Sequence, residues 1–184
     1  MHSLRHIVRS PRAAQRVADA RAWLEAQKPD TEVLLLAANW EAADDLVRSV
    51  AAARGALFAV HRLTLNRLIG MLAADDLAAR GLVPLSRLAT EAVAARAIHQ
   101  LYSPLLSNGA AQAADPDFFA AVAARPGFPG AVAETAQQIR LGGVDSSAVA
   151  DLERIGPPLA AILEQFEREL AGAALIDRAG LIRI

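Results

Sequence analysis

The sequence predicts an α/β protein in which residues 1–81 form part of a parallel sheet with helices, followed by an all-α helical sub-domain over residues 82–184. Three observations carry this. Val33-Leu34-Leu35-Leu36-Ala37 is a continuous apolar run bounded by turn signals, as in a parallel strand buried on both faces. Strand and helix signals alternate from the N-terminus to Gly81 with short connections, the order that builds a parallel sheet with crossover helices. Beyond residue 81 no comparable strand signal recurs.

Taken in order, Leu4 to Arg9 reads as a short strand that Ser10-Pro11 ends, with Ser10 as helix cap and Pro11 at the first helical position. From Ala13 to Gln27 the apolar residues Ala14, Val17, Ala18, Trp23 and Leu24 recur at helical spacing. Pro29-Asp30 punctuates before the Val33 strand. Asn39 then caps a second helix, which Gly55 stops. Ala56 to Arg62 reads as a third strand, and Leu65 to Ala79 as a third helix closed by Gly81.

In the second half, helical runs cover Leu85 to Leu106, Phe118 to Ala124, Pro129 to Leu141, Ser146 to Arg154 and Pro158 to Leu170. Loops rich in Pro, Gly and Asp separate them, the first being Ser107 to Pro116. The chain ends on the apolar Leu181-Ile182-Arg183-Ile184 without a stop signal, which suggests a cut through a longer protein.

Composition narrows the function classes. Hydrophobic residues make up 54% and charged residues 21% of the 184, which excludes a disordered chain, and the 4% of aromatic residues points to an aliphatic core. The absence of cysteine excludes a disulfide scaffold, a thiolate metal site and a cysteine nucleophile. A net charge of −1 gives no global attraction to nucleic acid or anionic membrane. The longest apolar run, Val33 to Ala38, falls far short of the roughly 20 residues that span a bilayer. Arg5, His6 and Arg9 precede no apolar stretch, so the N-terminus does not read as a secretory signal, and a cytoplasmic protein without membrane partners is expected.

Side chains able to do chemistry are scattered. The histidines His2, His6, His61 and His99 do not cluster with metal-ligand spacing. The doublets Asp44-Asp45 and Asp75-Asp76 lie on helices, where neighbours diverge by about 100° and do not converge on one ligand. No serine has a nucleophile-elbow context. In nucleotide-binding α/β domains the first strand-to-helix turn is a glycine-rich loop that ends in Lys-Ser/Thr and holds phosphates. Here the turn is Ser10-Pro11-Arg12-Ala13-Ala14-Gln15-Arg16-Val17. It lacks glycine, carries Arg16 at the lysine position, and places Val17 where a Mg²⁺-binding hydroxyl belongs. No catalytic residue, metal or cofactor is expected, and Ser10, Pro11 and Arg16 mark a degenerate loop.

The order of elements is nevertheless familiar. Val33-Leu-Leu-Leu-Ala-Ala-Asn39 with Glu41-Ala-Ala-Asp-Asp-Leu46 resembles the second strand and helix of UvrD/RecB-type helicase domains, most of all the AddB-like subunit of bacterial helicase–nucleases. His61-Arg62-Leu63-Thr64-Leu65-Asn66-Arg67-Leu68 resembles the third-strand motif of that family, in which a Thr begins a helix beside single-stranded DNA. Pro84-Leu85-Ser86 is similar to the start of the family's helical insert, and Asp177-Arg-Ala-Gly-Leu181 to the segment leading out of it. The resemblance implies a partial P-loop/RecA-like sheet with an inserted helical sub-domain. The turn at Ser10–Val17 departs from the family's Gly-x-x-Gly-x-Gly-Lys-Thr pattern, which implies a motor kept for structure or DNA contact. The family's PD-(D/E)XK nuclease domain lies far downstream, and its Asp…Glu-x-Lys cluster does not occur here.

Carried onto this chain, the resemblance makes Asn39, Arg62, Thr64 and Arg67 the candidate contacts to DNA. Asn39 and Thr64 begin helices, where free amides favour a phosphate, although both are also ordinary capping residues. Trp23 falls on the apolar stripe of its helix, whereas Trp40 beside Asn39 is a candidate for base stacking. The expected function is a non-catalytic, helicase-like domain of a DNA repair or recombination nuclease, guiding single-stranded DNA or docking a partner subunit. The alternative is an α/β protein-interaction module with no nucleic-acid role, which suits the near-neutral charge.

Overall fold

The computed structural model describes residues 6–107 and 118–184. The chain divides into two compact units, Met1–Met71 and Leu72–Ile184, so the division falls inside the stretch predicted as the third helix.

The first unit is α/β. Helix α1 (Ala13–Glu25) precedes strand β1 (Val33–Ala37), helix α2 (Trp40–Arg54) and strand β2 (Val60–Thr64). The strands pair in parallel, with Val33 opposite Val60 and Ala37 opposite Thr64. Leu24 of α1, Val33 of β1 and Val50 of α2 are buried together, joined by Leu46, Val47, Leu57 and Val60. Arg54, at the end of α2, donates to the carbonyls of Glu25 (3.1 Å) and Gln27 (2.9 Å). It thereby satisfies acceptors that the C-terminus of α1 leaves open.

Three expectations for this unit need correction. Burial of β1 on both faces does not hold. Successive side chains of a strand point to opposite sides, and Leu34 and Leu36, on the side away from Val33, remain 50% and 44% exposed. The first predicted strand is not formed over its described part: residues 6–9 carry no strand and Ile7 is exposed, while Leu4 and Arg5 lie outside the described residues. The strand expected at Ala56–Arg62 starts later, because Ala59 takes a left-handed backbone (φ 56°) that breaks extended geometry just before Val60.

The third predicted helix is two helices, α3 (Leu65–Leu72) and α4 (Ala74–Arg80). Gly81 closes α4 in the left-handed conformation, φ 63°, as a C-terminal glycine commonly does.

The second unit packs α5 (Arg87–Ser107), α6 (Phe128–Leu141), α7 (Ser146–Ala150) and α8 (Gly156–Gly172) around one core. Ala94, Ala97 and Ala136 are fully buried, and their small side chains let the helices approach closely around Phe166 and Ile162. Ser86 caps α5, its hydroxyl accepting from the Ala89 amide at 3.2 Å.

The all-α expectation is corrected here by a short parallel pair, β3 (Val83–Pro84) with β4 (Leu175–Ile176). Val83 donates to the carbonyl of Ala174 and Leu85 to that of Ile176, both at 2.9 Å. Pro84 falls between the two donors, where its missing N–H costs nothing. Phe118–Ala124 forms turns, with Phe119 stacked on Phe128 at 5.4 Å between ring centres. The helix expected to reach Arg154 stops at Ala150, and Arg154 adopts φ 57°. The predicted loop Ser107–Pro116 lies outside the described residues save for Ser107, the last residue of α5.

Helix α9 (Arg178–Arg183) closes this unit. Asp177 caps it, accepting from the Gly180 amide at 2.9 Å, and is itself 3% exposed. Its charge is met by Arg140 of α6, whose Nε donates to Oδ2 at 2.7 Å and Nη2 to Oδ1 at 3.3 Å. Arg140 also pairs with Glu167 of α8, and its carbonyl accepts from Arg183 at 2.8 Å. Burial alone would lower the Arg140 pKa; Asp177 and Glu167 outweigh that and raise it above the ordinary arginine value. One guanidinium therefore ties three helices together.

Candidate nucleic-acid interface

Because β1 and β2 run parallel, both deliver their following residues to the same end of the sheet. In open α/β sheets this C-terminal end is where ligands bind. Beyond β1 the chain passes through Ala38 to Asn39, whose extended backbone (φ −143°, ψ 169°) turns into α2. The Asn39 side chain accepts from the Ala42 amide at 2.8 Å. Thr64, opposite Ala37 in the register, ends β2 and leads directly into α3. Its hydroxyl accepts from the Arg67 amide at 3.4 Å. Two helix starts with polar first residues thus share one edge.

Arg62 belongs to the strand face that α2 covers, since it alternates with Val60 and Thr64. Trp40, Asp44 and Arg48 lie four residues apart on α2 and share a stripe. Arg62 reaches that stripe. Its Nη1 pairs with Oδ1 of Asp44, and its guanidinium carbon lies 5.2 Å from the Trp40 ring centre. Arg48 pairs with the other oxygen of Asp44, a hydrogen bond and charge that raise its pKa. Trp40 remains 48% exposed. Arg67 is exposed and has no ion pair among the described residues. Of the four candidate contacts, Asn39 and Thr64 spend a side-chain oxygen on capping, Arg62 is held by a carboxylate, and Arg67 is free to meet a ligand.

The role of Asp44 is not legible in the Asp44-Asp45 doublet, whose side chains are expected only to diverge. The two do diverge, with Asp45 exposed and Asp44 turned to Arg62. The i, i+4, i+8 spacing of Trp40, Asp44 and Arg48 was the available signal, but which strand residue it faces depends on how α2 packs on β2.

The turn at Ser10–Val17 is folded on itself. The Arg16 guanidinium donates to the carbonyl of Ser10, and the Arg12 amide donates to the Ser10 hydroxyl at 3.2 Å. Helix α1 starts at Ala13 with Arg12 in the capping position, so Ser10 and Pro11 lie just before the helix rather than at its cap and first turn. The histidines stay apart among the described residues: His61 pairs with Glu32 at 2.8 Å, His99 is exposed on α5, and His2 lies outside the described residues. Among the described residues no group of three His, Cys, Asp or Glu side chains is placed to hold a metal, and no helix is long and apolar enough to cross a membrane. No family model and no curated protein matches this chain.

Proposed function

We propose that this chain is an inactivated, helicase-like domain of a DNA repair or recombination nuclease, related to the AddB-like subunits and the UvrD/RecB-type helicases, that guides single-stranded DNA. The observation that carries this reading is the meeting of Asn39 and Thr64 at the C-terminal end of one parallel strand pair, with Arg67 free on the same edge. Helix-start amides and one exposed cation without an ion pair among the described residues suit a phosphate passing along that edge. No nucleotide is hydrolysed in this account: Arg16, at the position of the phosphate-binding lysine, is turned onto the Ser10 carbonyl. The sheet edge serves as a guide, and a partner subunit supplies the motor. Anisotropy of a labelled single-stranded oligonucleotide tests it, with saturable, salt-sensitive binding expected.

A second reading has its own observation. Leu34 and Leu36 leave half of their surface open on the side of β1 away from the α1–α2 core, as in a sheet awaiting a protein partner. On that reading the domain docks a subunit and does not touch nucleic acid. Oligonucleotide binding separates the two.

A further inference from the structure

We propose that Asp44 sets how tightly this edge holds a phosphate backbone, by competing within the molecule for Arg62 and Arg48. The inference rests on the single-stranded DNA reading above and names a residue that controls it.

Three observations support it. The Asp44 carboxylate is 16% exposed and spends both oxygens on guanidinium groups, Oδ1 on Arg62 and Oδ2 on Arg48. Arg62 also lies over the Trp40 ring, 5.2 Å from its centre. Asp44 sits one helical turn into α2, beside the start that Asn39 caps, so the carboxylate and a phosphate on this edge would draw on the same cations. A phosphate on this edge therefore competes for Arg62 with a carboxylate that is already in contact. With Asp44 in place, Arg67 is the cation of this cluster without an ion pair among the described residues; Asp44→Asn releases Arg62 and Arg48 as well. Binding is thereby kept weak and quickly reversible, as suits a surface along which a strand must slide.

The test uses the full chain and a fluorescein-labelled oligothymidylate, with anisotropy read at about 50 and 200 mM salt, where phosphate contacts register. Four proteins are compared: the unaltered chain, Asp44→Asn, Asp45→Asn and Asp44→Asn with Arg62→Gln. Asp45→Asn removes the same charge one position away, from an exposed carboxylate. The expected result is that Asp44→Asn tightens binding about fivefold at the lower salt and steepens the salt slope by about 0.7 for each arginine released. Asp45→Asn changes affinity less than about twofold, since that carboxylate makes no ion pair with Arg62 or Arg48. Adding Arg62→Gln removes most of the gain. Should Asp44→Asn fold poorly, Asp44→Ser discharges the same site and is expected to act alike. Equal effects of the Asp44 and Asp45 changes, or a gain that survives loss of Arg62, would overturn the inference and leave DNA binding intact. Absence of binding by every protein would overturn the DNA reading and this inference with it.

Discussion

The guanidinium of Arg62 meets two residues of a single helix, the carboxylate of Asp44 and the indole face of Trp40 5.2 Å away. The C-terminal end of the strand pair is therefore an organised polar cluster with an exposed aromatic ring. Asn39, Thr64 and Arg67 complete it. Its capping and its proposed DNA contacts can be separated by mutation.

Asn39 provides that separation. Asn39→Ala removes the side-chain acceptor for the Ala42 amide and is expected to cost about 1 kcal/mol of stability in denaturant titration. Asn39→Asp keeps a good cap, so stability should stay within about 0.5 kcal/mol, while the added negative charge weakens oligonucleotide binding several-fold. Equal binding by Asn39→Asp and the unaltered protein would place the strand elsewhere.

The one-sided sheet makes a quantitative contrast. Leu24 is 1% exposed and packs against Val33 and Val50, so Leu24→Ala should cost about 3 kcal/mol. Leu36, 44% exposed, should cost less than about 1 kcal/mol on the same truncation. Chemical denaturation of both variants checks the difference, and similar losses would mean that the Leu36 face is covered.

Arg140 is expected to be the most sensitive charged residue of the helical unit. Arg140→Met leaves the Asp177 carboxylate, 3% exposed, without its cation and should cost about 3 kcal/mol or more. Arg140→Lys keeps the charge but loses the two-nitrogen contact and should fall between. Thermal melts followed by circular dichroism read both. With the Arg140 pKa raised from an already high value, its contribution is fully present below the unfolded-state value and is lost only as pH rises through the higher folded one. Titration of Arg140 itself therefore leaves this contribution constant from pH 5 to 9.

Gly156 opens α8 where a side chain has no room. A Cβ there would lie 2.5 Å from the carbonyl oxygen of Val149 and 2.8 Å from that of Ala150, both backbone atoms. Gly156→Ala should cost about 2–3 kcal/mol, measurable as a lowered melting temperature.

Particular residues show how far the sequence could be read. The run Val33–Ala37 announces its strand because five apolar residues between turn signals have few other uses, and Asn39 announces its cap by residue type. The start of β2 was hidden because nothing in an alanine marks the left-handed backbone that Ala59 adopts. The β3–β4 pair was hidden for another reason: each strand is two residues long, and its partner is distant in sequence. The exposure of Leu34 and Leu36 could not be read, since an apolar run looks the same whether one face or both are covered. At the site, sequence identified the candidates Asn39, Arg62, Thr64 and Arg67. The grip of Asp44 on Arg62 arises only from tertiary packing.

Anisotropy of a labelled oligothymidylate at about 50 and 200 mM salt decides whether the end of the β1–β2 pair guides a single strand, as proposed. The unaltered chain is compared with the triple variant Asn39→Ala, Thr64→Ala, Arg67→Ala. Saturable binding is expected, weakening as salt rises and falling at least tenfold in the triple variant. Binding that the triple change leaves untouched, or no binding at the lower salt, would contradict the proposal.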